Sequence, residues 1–214
     1  NKSRLLLQLP ASSDILWNSF KSKLRSQIRR AMKEEIEFRI GGIRLVDDFY
    51  RVFCINMRDL GSPVHSRSWF FSVIQEFGDR ARIGMVYKNS IPIGGGIILC
   101  SRDMVTIPWA STIKEYNSLS PNMLLYWEFL KYASDQGYAF FDFGRSTPGE
   151  GTFKFKQQWG AEPVPLHWYR INADKDETEG SAGPLRLYAE RVWSHIPQIL
   201  TDAVGPMIRR FITL

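Results

Sequence analysis

The sequence predicts an α/β protein built on one mixed sheet, and three observations carry that expectation. Period-two apolar runs alternate with stretches of helical spacing along most of the chain, the pattern of a sheet covered on both faces. Three of the strand-like runs stand together, separated only by short turn sequences, as in an antiparallel meander. With 214 residues, 44% of them apolar and 23% charged, the chain can bury one substantial core without disulfides or metals as staples.

The elements follow in order. Asp14 is placed to cap a helix in which Trp17, Phe20, Leu24, Ile28 and Ala31 make one apolar stripe. Lys21, Arg25 and Arg29 lie four apart on another face, so residues 1–34 read as a basic amphipathic helix ahead of a main domain at 35–173. A short strand at 35–40 ends at Gly41 and Gly42. Two amphipathic helices at 45–60 and 66–77 are broken at Gly61, Ser62 and Pro63. The meander strands are 81–87, 91–100 and 104–110. Gly94, Gly95 and Gly96 sit inside the second, where a bend or a close backbone approach suits them better than a phosphate loop. Ser120 and Pro121 read as an N-cap and first helical position for a helix reaching Gln136. A strand at 139–143, a polar loop at 144–151, helical turns at 153–159 and a last strand at 164–171 complete the domain. An acidic linker at 174–184 leads to an apolar and basic tail at 185–214, with Pro197 and Pro206 expected to interrupt any single helix.

Composition removes several function classes. Cys54 and Cys100 have no CxxC spacing, and His65, His167 and His195 are far apart, so neither a zinc site nor a disulfide framework is expected, and a cytoplasmic location fits. The longest apolar run, 91–100, is too short to span a bilayer. Of the net charge of +6, the first 35 residues carry +5, either a solvated helix face or a surface for phosphate, nucleic acid or anionic lipid. The chain starts at Asn1 with no secretory pattern, and it reads as a fragment of a longer protein.

The densest cluster of chemistry-bearing residues is FDFGRSTPGEGTFKFKQQWG, at 141–160. It sets Asp142, Arg145, Glu150, Lys154 and Lys156 among five aromatic rings, with three glycines that allow turns and close approach of a ligand. A loop at the carboxyl end of a strand is where ligands of open α/β sheets sit, and Arg145 and Lys156 would supply positive charge to an oxyanion or phosphate there. The same residues are equally compatible with core aromatics, turn glycines and surface ion pairs.

The segments RDLGSPVHSRSWF, SPNMLLYWEFLKYASDQGYAFFDFGRS, GTFKFKQQWGAEPVPLHWY and VWSHIPQIL…VGPMIRR, in that order, resemble the FemAB-like proteins associated with exosortase (PEP-CTERM) systems. The element order likewise resembles the GNAT acyltransferase fold, here with an N-terminal basic helix and a C-terminal helical tail. The resemblance implies transfer of an acyl or aminoacyl group onto an amine of a cell-envelope or exopolysaccharide precursor, a glycan, a peptide or another small molecule. The donor would be acyl-CoA or aminoacyl-tRNA, with no tightly bound cofactor and no metal. Relatives with two tandem GNAT-like domains imply that an N-terminal partner domain is missing here.

The FK pair followed by an aromatic and glycine falls on Phe155-Lys156 and Trp159-Gly160. The resemblance makes Lys156 the charge that stabilises the tetrahedral oxyanion or a donor phosphate. Asp142 or Glu150 would accept the amine proton. Arg145 and Ser146, together with Trp109, Asn122, Tyr126, Phe155 and Trp159, are the substrate-binding candidates. One departure stands out: where CoA-binding GNAT enzymes have a glycine-rich pyrophosphate loop, this chain has Tyr116-Asn117-Ser118-Leu119-Ser120-Pro121-Asn122, without glycine and with a proline that removes a donor. Two other readings compete: a non-catalytic binding or scaffold domain of a two-domain protein, and an RNA-binding module using the basic first helix. The tail suits either peripheral contact with an anionic inner-membrane surface or docking back onto the domain.

Overall fold

The computed structural model describes residues 2–167 and 184–211. One mixed sheet of seven strands organises the chain: β1 (Ser3–Gln8), β2 (Ile36–Gly41), β3 (Ala81–Lys88), β4 (Ile91–Ser101), β5 (Met104–Thr112), β6 (Phe140–Ser146) and β7 (Glu162–Pro165), in the order β2-β3-β4-β5-β6-β1-β7. All neighbours are antiparallel except β5 and β6.

The first 34 residues differ most from the sequence expectation. They are not one helix but β1, then α1 (Ser13–Ser19) and α2 (Ser22–Met32). Ser12, not Asp14, caps α1, its hydroxyl accepting from the Ile15 N–H. β1 is a leucine run with no β-branched residue, so local propensity points away from a strand. Pairing decides the outcome: β1 lies between β6 and β7, with Leu5 and Leu7 buried. The N-terminal segment is thus part of the sheet rather than an appendage to it.

Two apolar layers cover the sheet. On one face α1, α2 and α5 (Pro121–Asp135) pack through Leu16, Phe20, Leu24, Ile28, Leu125, Phe129 and Leu130 against Val86, Ile98, Val105, Phe141 and Phe143. On the other, α3 (Val46–Asp59) and α4 (Arg67–Phe77) bury Phe49, Phe53, Phe70 and Ile74 against Ile83, Met85 and Ile97. The glycines of β4 serve close approach: a Cβ at Gly95 would stand 2.4 Å from the Met85 sulfur, and one at Gly96 would stand 3.0 Å from the Phe129 ring.

Beyond β6, α6 (Gly151–Gln157) follows a loop of four residues, because the strand runs on to Ser146. Residues 168–171 of the expected last strand and the expected linker, up to residue 183, lie outside the described residues. The tail forms α7 (Pro184–His195) and α8 (Gln198–Arg209), both contacting α3. Pro197 is the N-cap of α8, whereas Pro206 lies inside that helix and does not end it. Thr201 and Gly205 are the buried positions of α8, with Gly205 against Val64. The Arg209 Nε donates to Nε2 of His65, which stacks on Trp69. No helix among the described residues is long and apolar enough to cross a membrane.

Candidate active site

β5 and β6 pair in parallel only at Met104, Val105 and Thr106, opposite Phe140, Phe141 and Asp142. Beyond Thr106 they part. β5 stays with β4 through Thr112, while β6 stays with β1 through Ser146. A wedge therefore opens at the carboxyl ends of two parallel strands. The β5 edge that faces it has no strand partner among the described residues, which leaves main-chain donors and acceptors for a ligand.

The wedge leads into a cleft of about 370 Å³, a size suited to a small ligand. Ala110, Ser111 and Thr112 of β5 form one wall; Asn122, Leu125 and Tyr126 of α5 form the second. Gly151, Thr152, Phe155 and Lys156 of α6 close the third, and Asn56 of α3 reaches in from the opposite layer, its amide donating to the Ser111 hydroxyl at 3.1 Å. Among the lining residues Lys156 carries the only formal charge, and none is a carboxylate.

Helical spacing places Phe155 and Lys156 at this wall while Phe153 turns into the core, where it is buried. The Lys156 ammonium is half-buried and donates to the main-chain carbonyl of Arg145 at 2.9 Å. Burial pushes its pKa down from the ordinary lysine range to about 8, with the nearby Asp142 charge acting in the opposite sense. The Ser146 hydroxyl donates to the same carbonyl at 2.8 Å. Tyr126 stacks on Phe143 and meets Phe155 edge-on; burial pushes its phenol up to about 12, so it stays protonated.

Of the residues singled out from sequence, Lys156, Asn122, Tyr126 and Phe155 meet in the cleft. The others stand elsewhere. The side chain of Arg145 is exposed and does not line the cleft; its carbonyl is what reaches Lys156. Asp142 is buried below the wedge, accepting from Arg4 Nε at 2.8 Å through one oxygen and from the Gly144 N–H at 2.8 Å through the other. Glu150 is the exposed residue just before α6. Trp109 packs against Trp69 and Phe70 in the α3–α4 layer, and Trp159 is core, against Phe20 and Tyr126. Asn56, Ser111 and Thr112 were not legible as site residues, since none lies in a quoted segment and only the packing of α3 under β5 brings Asn56 to Ser111; Thr152 lies in the charged, glycine-bearing segment but was not singled out there.

The start of α5 is poorly equipped to hold a pyrophosphate. Ser120 takes a left-handed conformation and its side chain does not cap the helix, contrary to the sequence expectation. Pro121 has no N–H, and the Met123 N–H is already bonded to the Ser120 carbonyl. No group of three or more histidine, cysteine, aspartate or glutamate side chains fit to hold a metal occurs among the described residues.

Residues 18–157 match the family described as the acetyltransferase (GNAT) domain. No curated protein matches the sequence at a significant level. Among solved structures, FemX is similar at 16% identity and TM-score 0.64, over 75% of this chain and 59% of that one. L-PGS from Bacillus licheniformis is similar at 13% identity and TM-score 0.55, over 76% and 56%. An aminoglycoside acetyltransferase from an uncultured soil metagenomic sample, solved with sisomicin, is 8% identical with TM-score 0.53, over 66% of this chain and 99% of that one. At these identities the likeness is one of fold. The chain spans less than two thirds of the length of the FemX and L-PGS chains.

Proposed function

Because the chain belongs to the acetyltransferase (GNAT) domain family, we propose that it is the catalytic domain of a FemAB-like N-acyl or aminoacyl transferase acting on an amine of a cell-envelope or exopolysaccharide precursor. One observation carries the reading: the cleft where the parallel strands part is open and holds a single cation, Lys156, fixed in position by a main-chain carbonyl. A scaffold domain would have no need to keep that cleft open.

The chemistry asks little of the protein. A neutral amine attacks an activated ester readily once the two are held together, so positioning and stabilisation of the developing oxyanion supply most of the acceleration. With its pKa pushed down by burial to about 8, Lys156 is mainly the ammonium at pH 7. Its role is therefore that of a cation, on the oxyanion or a donor phosphate, rather than of a base. The free β5 edge offers N–H groups beside it. Asp142 and Glu150, the proposed proton acceptors, stand outside the cleft wall, so the amine's proton would reach either through water.

The proline and the occupied Met123 N–H at the start of α5 support an aminoacyl-tRNA donor over acyl-CoA. The low coverage of the FemX chain supports a second, N-terminal GNAT-like domain as part of the full cleft. The exosortase (PEP-CTERM) association rests on the resemblance of the four sequence segments. The test is mass spectrometry of products formed from labelled acyl-CoA and aminoacyl-tRNA with amine-bearing envelope precursors. Transfer that depends on Lys156 supports the reading; transfer from neither donor by a folded protein overturns it.

A peripheral membrane location is favoured by one separate feature. Leu200, Val204 and Met207 recur at helical spacing on an exposed side of α8, with Phe211 exposed just beyond its end and Arg210 exposed nearby.

A further inference from the structure

The two edges of the sheet are built differently. β7 is four residues long and two of them are Pro163 and Pro165, so it cannot offer a regular row of donors. β2 is six residues long, without proline or lysine, and pairs with β3 from Ile36 to Gly41 without a bulge. Among the described residues no strand lies on its other side. Alternate residues of β2 therefore send N–H and C=O groups out of the sheet as a template for one more strand, and β2 lacks the proline, bulge or short length that usually protects such an edge.

The side chains of β2 indicate which strand fits. Glu37 and Arg39 lie opposite Tyr87 and Met85 of β3, on the face that carries α3 and α4, with the Arg39 guanidinium over the Tyr87 ring. Both are exposed and pair with each other at 2.8 Å. Ile36, Phe38 and Ile40 occupy the other face, where Phe38 meets the Phe129 ring edge-on and Ile40 is 39% exposed. Charge on an edge strand normally repels a second copy. Here the two charges are opposite in sign and two residues apart, which makes the strand complementary to itself. With a two-fold axis at Phe38, an antiparallel second copy sets Glu37 opposite Arg39 twice, Ile36 opposite Ile40 twice, and Phe38 opposite Phe38. Moving the axis to Glu37 or to Arg39 sets like charges directly opposite, so charge also fixes the register.

We propose that two copies of this chain join β2 to β2 about that axis, so that one continuous sheet runs through a symmetric dimer. The contact is isologous: each copy gives and receives the same ion pair, and the apolar ends of the two strands cover each other. β3 and β4 separate β2 from the wedge between β5 and β6, so both clefts stay open in the dimer. The dimer is independent of acyl transfer and of its donor.

The test is sedimentation velocity of the full chain from about 1 to about 100 µM, a range that spans micromolar association. The expected result is a reversible shift from the 24.8 kDa chain to twice that mass, with slower hydrogen exchange at the outward β2 amides in the dimer. Arg39→Glu makes both edge charges acidic and Glu37→Arg makes both basic; each should keep the parent's circular dichroism spectrum and weaken self-association at least about ten-fold, since like charges then meet. Mixing these two variants restores the dimer, and so does the double variant Glu37→Arg/Arg39→Glu. The variant with Leu200→Ser, Met207→Ser and Phe211→Ser on α8 dimerises as the parent does. A monomer across the whole range overturns the proposal, as does a dimer unaffected by both single changes, a pair of folded variants that stay monomeric when mixed, or a dimer lost in the α8 variant.

Discussion

The ammonium of Lys156 and the main-chain carbonyl of Arg145 are 2.9 Å apart, while the Arg145 side chain is exposed and is not among those that line the cleft. Two cations 11 positions apart in the chain therefore have different situations: one faces the cleft, and the other lends it a backbone oxygen. Lys156→Ala is predicted to lower the transfer rate by about 10²–10³, the typical effect of removing one oxyanion-stabilising group. Steady-state kinetics beside a circular dichroism spectrum check it. Arg145→Ala should change the rate far less, because the carbonyl stays.

The pH dependence of the same residue has a definite sign. Its folded pKa, about 8, is below that of a free lysine, so activity that needs the ammonium falls as pH rises through about 8. For stability, the unfolded chain holds the proton more tightly. The penalty is full below about pH 8 and is relieved as pH rises towards the free-lysine range. Lys156→Met should accordingly be more stable than the parent at pH 7, by a margin that shrinks towards pH 10 in urea titrations.

Asp142 spends both oxygens on structure. Replacing it with alanine leaves Arg4 and the Gly144 N–H without that acceptor, and a loss of about 1–3 kcal/mol is expected. Because Arg4 lies on β1, hydrogen exchange in β1 should quicken in Asp142→Ala. A large drop in kcat by fully folded protein would instead identify Asp142 as the base.

Gly84 on β3 lies under the Phe129 ring of α5, where an added Cβ would come within 2.5 Å of the ring and 2.8 Å of Phe38. Two aromatic rings in a packed layer have little room to yield. Gly84→Ala is predicted to destabilise the fold by about 1–3 kcal/mol through overpacking, read as a lower urea midpoint at unchanged m.

For α8, flotation with anionic liposomes should recover the intact chain and lose the variant carrying Leu200→Ser, Met207→Ser and Phe211→Ser. All three side chains are exposed, so the fold should survive. Equal recovery of both would eliminate the membrane reading.

Much of the architecture was legible because periodicity is a local property. The two-residue alternation of 81–87 and 104–110, and the helical spacing of α3, α4 and α5, each repeat enough to be read without knowing what they pack against. β1 was not legible, since six residues with a leucine run fit a helix as well as a strand until β6 and β7 flank them. The break between α1 and α2 escaped for a related reason: Phe20 and Leu24 keep helical phase across it.

By itself the sequence determined which residues are apolar, which loop is rich in charge and glycine, and that Lys156 stands beside Phe155 on a short helical turn. Only the tertiary structure decided that Asp142 is tied to Arg4 while Lys156 faces a cleft with Asn56 and Ser111. The physical reason is that β5 and β6 pair for three residues and then separate, each held by a different neighbour. The cleft is made by contacts between segments distant along the chain, and no local pattern encodes where two strands part.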